Sequence, residues 1–399
     1  MLAGPTPDLI RDHHLGRASL ARKNENWELL ALILSALALI AALALGATLL
    51  SLVPLPHGFF RVFDFCRLQV AAISAAVIAS ILALGLVKNG AIEWAVWDLQ
   101  TLALVMAVLA FVVQSAHILP FTGLWHKQTT RFLGGEADPC TLSILTSNVK
   151  QSNRDYQKVG ALIERHTPDI AVFMEVDDDW VAALRPYLSD YSNCIEYPQD
   201  NSYGILFATR LETDKGSIQF LLNEHIPSVD VEVTLSNGQK ARVFALHPEP
   251  PIPIRDTEAR DAEILIVSEL ARDEERPVIV AGDLNDVAWS RTTRRFLRIS
   301  RLLDPRRGRG LFNSFDARYW FLRWPLDHIF LSKHFELIEM KRLSFVGSDH
   351  FPMYYEVTLA NTRQNQTPER AREDDLQESD EMIAAERRRD RPPVGEDWE

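Results

Sequence analysis

Carboxylate, amide and imidazole side chains recur where short apolar runs of this chain end. Asn148 follows LSILTS, Glu175 follows DIAVFM and His247 follows ARVFAL. Asp283 and Asn285 sit in VIVAGDLND, Asp327 in WPLDHIFLS, and Asp349 and His350 in VGSDHFP. Carboxylates and amides offer hard oxygen atoms to a divalent cation, and an imidazole exchanges a proton near neutral pH. An α/β domain builds its site at strand ends, because ordered backbone there gives way to loops. Read alone, any one of these residues is more often a turn, cap or packed residue. Six strand ends of this kind between residues 148 and 350 point to a single site.

Apolar runs bounded by turn residues predict the strands that would carry them, at 141–147, 170–174, 204–209, 229–235, 241–246, 277–281, 328–331 and 353–358. Helical spacing of Val159, Leu162 and Ile163 predicts a helix over 156–166, and a longer one is expected over 257–272. Residues 140–360 therefore read as one α/β domain, large enough to bury a core around a site. From residue 361 onward large apolar residues are scarce and Glu, Asp, Arg and Gln abound, which predicts a disordered charged tail with transient helix at 376–389.

The ordered set PDIAVFMEV, GDLN, DHIFLS and SDHFP resembles the endonuclease/exonuclease/phosphatase superfamily over about residues 140–360. With HPEPP after a strand and an apolar N-terminal region, it looks like a bacterial membrane-anchored branch. The resemblance implies a two-sheet α/β sandwich flanked by helices, and hydrolysis of a phosphate ester. Such esters resist water because their anionic oxygens repel a nucleophile and the leaving oxygen must gather charge, both of which a divalent metal relieves. The resemblance assigns Mg²⁺ or Mn²⁺ to Glu175, supported by Asn148 and Asp349. It gives Asp283 and Asn285 to the attacking water and a phosphoryl oxygen, His350 to proton transfer with Asp327 orienting it, and His247 to a phosphate oxygen. The general base stays open between Asp283 and His350.

Some positions depart from the pattern or carry two readings. Lys150 stands where many nuclease relatives place an acidic or amide residue, which puts a metal ligand there in doubt; Asn153 is the substitute amide. Asn201 and Tyr203 are either phosphate contacts or a strand entry with a packed ring. Residues 291–309 hold eight arginines against the single acid Asp304. Arg291 and Arg294, closest to GDLND, are the candidates for binding an anionic substrate, against a plain solvated helix face. Phe312, Phe315, Tyr319, Trp320, Phe321 and Trp324 form either an apolar rim or part of the core.

The N-terminal third is of another kind. Uncharged runs at 29–50, 68–87 and 99–118 are each long enough to span a bilayer, with Gln100 and Gln114 interrupting the third. They predict a cytoplasmic segment 1–26, a three-helix membrane module within 27–120 and a linker 121–139. Lys and Arg favour the N-terminal side by five to four, which places the catalytic domain on the outer face of a bacterial cytoplasmic membrane. Net charge totals −12: residues 1–139 carry 9 basic and 9 acidic side chains, 140–360 carry 26 and 33, and 361–399 carry 7 and 12. No segment has the basic excess of a protein that coats nucleic acid. Cys66, Cys140 and Cys194 are too scattered for a disulfide framework or zinc site, although Cys140 and Cys194 could pair in an oxidising compartment. The expectation is a membrane-anchored, metal-dependent phosphodiesterase or endonuclease. The alternatives are a phosphatase of phospholipids or soluble phosphoesters, and a non-catalytic membrane-bound scaffold. The partners expected are the bilayer and a phosphate ester, nucleic acid or lipid headgroup, with no protein partner.

Overall fold

The computed structural model describes residues 7–89, 98–134, 140–359, 368–389 and 391–395, with side chains from residue 28 to 85 in the first stretch. Parts of the expected cytoplasmic segment, linker and tail thus lie outside the described residues. The chain divides into two compact units, residues 1–52 with 66–116, and residues 53–65 with 117–399. Four helices open it: α1 (Pro7–Leu50), α2 (Gly58–Phe65), α3 (Arg67–Asn89) and α4 (Leu99–Ile118).

In the first unit, Glu28–Leu50, Arg67–Gly85 and Leu99–Phe121 mark helices long and apolar enough to cross a membrane. Small and branched residues, Ala41, Val77, Ile81, Ala103 and Ala107, pack between them and let the helices approach closely. Gln114, a polar break in the sequence, is buried and satisfied. Its Oε1 accepts from Arg67 Nη1 at 2.8 Å and its Nε2 donates to Thr48 Oγ1 at 3.0 Å.

The second unit is a sandwich of two mixed sheets with helices outside. Its elements are β1 (Leu142–Asn148), α5 (Tyr156–His166), β2 (Ile170–Met174), α6 (Asp178–Leu184), β3 (Asn193–Tyr197), β4 (Ile205–Thr209), β5 (Glu212–Gln219) and β6 (Ser228–Thr234). They continue through β7 (Lys240–Leu246), α7 (Glu258–Arg272), β8 (Val278–Asp283), α8 (Arg291–Ser300), β9 (Asp327–Leu331), β10 (Phe335–Arg342), β11 (Met353–Leu359) and α9 (Glu373–Glu386). One sheet runs β10-β11-β1-β2-β4-β3 and the other β5-β6-β7-β8-β9. Period-two alternation sends Ile144, Val172, Val243 and Ile329 between the sheets. Their neighbours Leu145 and Phe173 face α5 and α6, and Phe244 and Phe330 face α7 and α8. Central strands are therefore buried on both faces and read as continuous apolar runs.

The tail differs from the expected disorder. Helix α9 docks on α7 and α8: Ile383 joins the apolar cluster of Leu265 and Ile299. Asp375 takes two hydrogen bonds from Arg298, at 2.7 and 2.6 Å, and accepts from the Arg372 backbone N–H at 3.0 Å. Residues 373–386 form a docked helix because their charges meet the arginines of α8. Asp375→Ala removes the ion pair and the helix cap together, at a cost of about 1–2 kcal/mol. Limited trypsin digestion at Arg370 and Arg372 is expected to quicken several-fold; a rate equal to wild type would show that Asp375 does not hold the helix. Cys140 is buried, Cys194 is exposed, and no disulfide joins them.

Candidate active site

Strand register brings the strand-end residues together. β1 and β2 run parallel with Asn148 beside Met174, so Asn148 and Glu175 emerge side by side. β7 and β8 run parallel with Leu246 beside Gly282, which sets His247 next to Asp283. β9 is antiparallel to β8 and pairs Asp327 with Asp283, while β11, antiparallel to β1, is entered just after His350. All lie at one end of the sandwich. Gly282, at φ +140°, is required there, since a Cβ would stand 2.1 Å from the Leu246 carbonyl oxygen.

The side chains form one buried cluster. Asn148 Nδ2 donates to Glu175 Oε1 at 2.8 Å and to Asp283 Oδ2 at 3.1 Å. His350 Nδ1 lies 2.8 Å from Asp327 Oδ2, and its Nε2 lies 3.4 Å from Asp283 Oδ2. His247 Nε2 approaches the same Asp283 oxygen at 3.9 Å. Asn285 donates its backbone N–H to Asp283 Oδ1 at 2.9 Å and its side-chain amide to the Pro248 carbonyl at 2.9 Å. Glu175 and Asn285 hold φ of 60° and 50°, an unfavourable conformation of the kind that persists where surrounding structure enforces it.

Burial and charge set the protonation. Burial pushes the Glu175 and Asp283 carboxyls above the usual range, against the pull of Asn148 and His350 respectively. Burial would lower the His350 imidazole, but the Asp283 and Asp327 carboxylates outweigh it and carry it to about 10. His247 goes the other way because burial dominates, and it stays neutral. Two polar atoms in the cluster, Asp327 Oδ1 and His247 Nδ1, are buried without a hydrogen-bond partner among the described residues. Asp283, Asp327 and His350 present ligand atoms within 4.8 Å of one another. Carboxylate oxygens raised by burial, an amide between them and an orphaned carboxylate oxygen fit a hard divalent cation.

Other expected residues serve elsewhere. Asp349 is held by Lys150 Nζ at 2.6 Å, with Arg318 Nη2 at 3.7 Å, so the departure at position 150 places a cation on a carboxylate assigned to metal. Asn153 ties loops together through the Val149 and Val346 carbonyls. Arg291 pairs with Glu378 at 3.3 Å, and Arg294 Nε donates to the Ser290 carbonyl at 3.1 Å. Of the two arginines expected to bind substrate, Arg291 thus pairs with the tail and Arg294 with the cap residue of its own helix. Asn201 Oδ1 accepts from the Tyr203 backbone N–H, and the buried Tyr203 donates its hydroxyl to the Val394 carbonyl of the tail at 2.6 Å.

Ser348 and Arg260 carry no signal in the motifs, and Phe315 reads there only as rim or core. Ser348 Oγ donates to the Asn148 carbonyl at 2.8 Å and accepts from the His350 N–H at 3.0 Å. The Phe315 ring lies 4.8 Å from the His350 ring. Arg260 Nη1 donates to the Asn285 carbonyl at 2.9 Å. Arg260 shares the buried face of α7 with Ile264 and Val267, and an arginine on an apolar helical stripe was the available signal.

Residues 145–350 match the model of the endonuclease/exonuclease/phosphatase family. Among solved structures, the chain is similar to D. rerio TDP2 complexed with a single-strand DNA product, at 18% identity over 55% of this chain and 99% of that one, TM-score 0.45. An endonuclease/exonuclease/phosphatase from Bacteroides vulgatus matches at 18% identity, 55% and 99% coverage and TM-score 0.46. A mannosyl-6-phosphatase from Bacteroides thetaiotaomicron matches at 19% identity, 55% and 100% coverage and TM-score 0.44. No curated protein matches the chain.

Proposed function

The chain belongs to the endonuclease/exonuclease/phosphatase family, and from that premise we propose that it is a membrane-anchored, divalent-metal-dependent phosphoester hydrolase of the phosphodiesterase type. The observation that carries this is the convergence of Asn148, Glu175, His247, Asp283, Asp327 and His350 at one end of the sandwich. Glu175, with Asn148 and Asp283 beside it, would hold Mg²⁺ or Mn²⁺. Bound there, the cation would draw charge from a phosphoryl oxygen and ease departure of the leaving oxygen.

The protein groups do the rest. Asp283 and the imidazole of His350 lie close enough to share one proton, so the base that takes the proton of water is this pair and not either member alone. Asp327 holds His350 in one orientation and stabilises its cationic form. The oxygen of water bonds to phosphorus, the ester bond breaks, and the proton passes to the departing alcohol. His247, kept neutral by burial, is available to a phosphoryl oxygen. Anchoring rests on the three apolar helices. Two spans separate the 53–65 loop from the catalytic residues, so both fall on the same side, in keeping with their membership of one compact unit. The Lys/Arg bias makes that the outer side.

Full-length protein in detergent is the material to test, because residues 53–65 belong to the catalytic unit. Bis-(p-nitrophenyl) phosphate is expected to turn over with Mg²⁺ or Mn²⁺ and not with chelator, faster than p-nitrophenyl phosphate. Preference for the monoester would make the protein a phosphatase. Equal rates with metal and chelator would overturn metal dependence.

A further inference from the structure

We propose that the site acts on a phosphodiester carried in the bilayer, presented by an aromatic loop that dips into the membrane interface. This rests on the phosphoester-hydrolase reading and adds its substrate class. The loop is residues 312–324. Tyr319, Trp320 and Phe321 are exposed by 48%, 83% and 53%, and the Phe321 ring meets those of Tyr319 at 6.4 Å and Trp320 at 5.4 Å. Phe312, Phe315 and Trp324, in the same stretch, are half-buried. The structure thus divides the six aromatics into an inner wall and an outer tip. Three neighbouring large rings held out of the core are a feature of surfaces that meet lipid or a partner.

The same loop walls the active site. The Ala317 backbone N–H donates to the Asp349 carbonyl at 2.7 Å, and Arg318 stands 3.7 Å from the Asp349 carboxylate. Its inner aromatics form a relay of ring contacts. His350 meets Phe315 at 4.8 Å, Phe315 stacks on Trp324 at 6.1 Å, and Trp324 meets Phe65 at 5.8 Å. Phe65 precedes by two residues the apolar helix that starts at Arg67. Its neighbour Asp64 accepts from Trp289 Nε1 at 2.7 Å through its carbonyl. The proposed catalytic imidazole is therefore linked, ring by ring, to Phe65, which in sequence lies two residues before an apolar helix.

Charge and aromatic character in and around the loop match an interface. Arg318 lies over Tyr319 at 5.7 Å, and Arg323 and Arg342 lie over Phe351 at 4.9 and 4.5 Å. Aromatic rings with guanidinium groups among them suit the headgroup layer, where rings take the apolar side and arginines the phosphates. Single-stranded nucleic acid also stacks on exposed rings, but it needs a basic track alongside them. Three of the α8 arginines that would supply one, Arg291, Arg295 and Arg298, are engaged by Asp375 and Glu378 of the tail.

Two measurements on the full-length protein test this. In the first, Trp320→Cys, in a chain whose three native cysteines are alanine, carries an environment-sensitive fluorophore in nanodiscs of equimolar phosphatidylethanolamine and phosphatidylglycerol. Blue-shifted emission, quenched by a nitroxide lipid, is expected. Emission typical of water that shifts only on adding single-stranded oligonucleotide overturns the proposal in favour of nucleic acid, and emission typical of water under both conditions overturns it outright. In the second, turnover of phosphatidylglycerol is divided by turnover of bis-(p-nitrophenyl) phosphate. Trp320→Ser/Phe321→Ser is expected to lower that ratio about tenfold, through loss of two buried apolar side chains at the interface. An unchanged ratio sinks the proposal. If wild type hydrolyses neither compound with Mg²⁺ or Mn²⁺, the hydrolase reading itself fails, while the fluorophore still reports whether the loop enters lipid.

Discussion

Glu175→Ala is expected to lower kcat for metal-supported phosphodiester hydrolysis by about 10³-fold or more, because the Glu175 carboxylate is the central metal ligand of the proposed site. A second readout separates that role from a structural one. Burial raises the Glu175 carboxyl, so its ionisation at neutral pH costs the metal-free fold stability. The sign follows from the folded pKa lying above the unfolded one: the favourable contribution is complete in acid and is lost as pH rises through the folded pKa. In chelator the variant should therefore melt at or above the wild-type temperature. In saturating Mg²⁺ it should melt below wild type, since a ligand at 100 times its Kd adds about 2.7 kcal/mol to the form that binds it. Equal losses of melting temperature with and without metal would make Glu175 a packing residue, and turnover within tenfold of wild type would remove it from the mechanism.

The second large effect concerns a residue that touches no proposed substrate. Arg260 is buried to 1% exposure in α7. Its Nε and Nη2 donate to Asp261 Oδ1 at 3.0 and 2.6 Å, its Nη1 donates to the Asn285 carbonyl, and Asp286 Oδ1 lies 3.7 Å away. Asp261 Oδ2 also accepts from Arg61 Nη2 of α2 at 3.1 Å. Asp286 is fixed by Ser290 and Thr293, and its carbonyl lies 2.8 Å from His328 Nε2. Arg260→Met leaves two buried carboxylates short of a cation. Breaking one partner of a buried network costs about 3–5 kcal/mol, which is roughly 10 °C in melting temperature for a domain of this size. Restoring neutrality with Arg260→Met/Asp286→Asn is expected to recover part of the loss. A single variant that melts within 2 °C of wild type, on the order of 1 kcal/mol, would show the network to be dispensable.

Much of the fold is legible because central strands are buried on both faces. The runs ending at Met174 and Asp283 are mostly apolar and are bounded by turn residues, and Leu142, Ile144 and Leu145 mark the one ending at Asn148, so pattern and length locate them. The strands that escape are the edges. β3 and β5 carry few buried residues and show no apolar run, and β10 alternates only weakly. Solvent-facing edge strands favour charge, which erases the signal used to find them. Helix α2 reads as a connection because eight residues are too few to show a helical stripe.

The proposed catalytic set was legible from local sequence. Asn148, Glu175, His247, Asp283, Asp327 and His350 each sit at the end of a locally readable element, and hydrogen-bonded register then brings strand ends to one place. Tertiary structure decided the rest. Whether Arg291, Arg295 and Arg298 face a substrate or their own chain depends on Asp375 and Glu378, 77 to 87 residues away. Lys150 finds Asp349 across 199 residues, and Tyr319, Trp320 and Phe321 point outward while Phe315 turns in against His350. Periodicity records how a residue relates to its neighbours in the chain. Which distant charge or ring it meets is set by how the layers pack, and that contact leaves no local pattern.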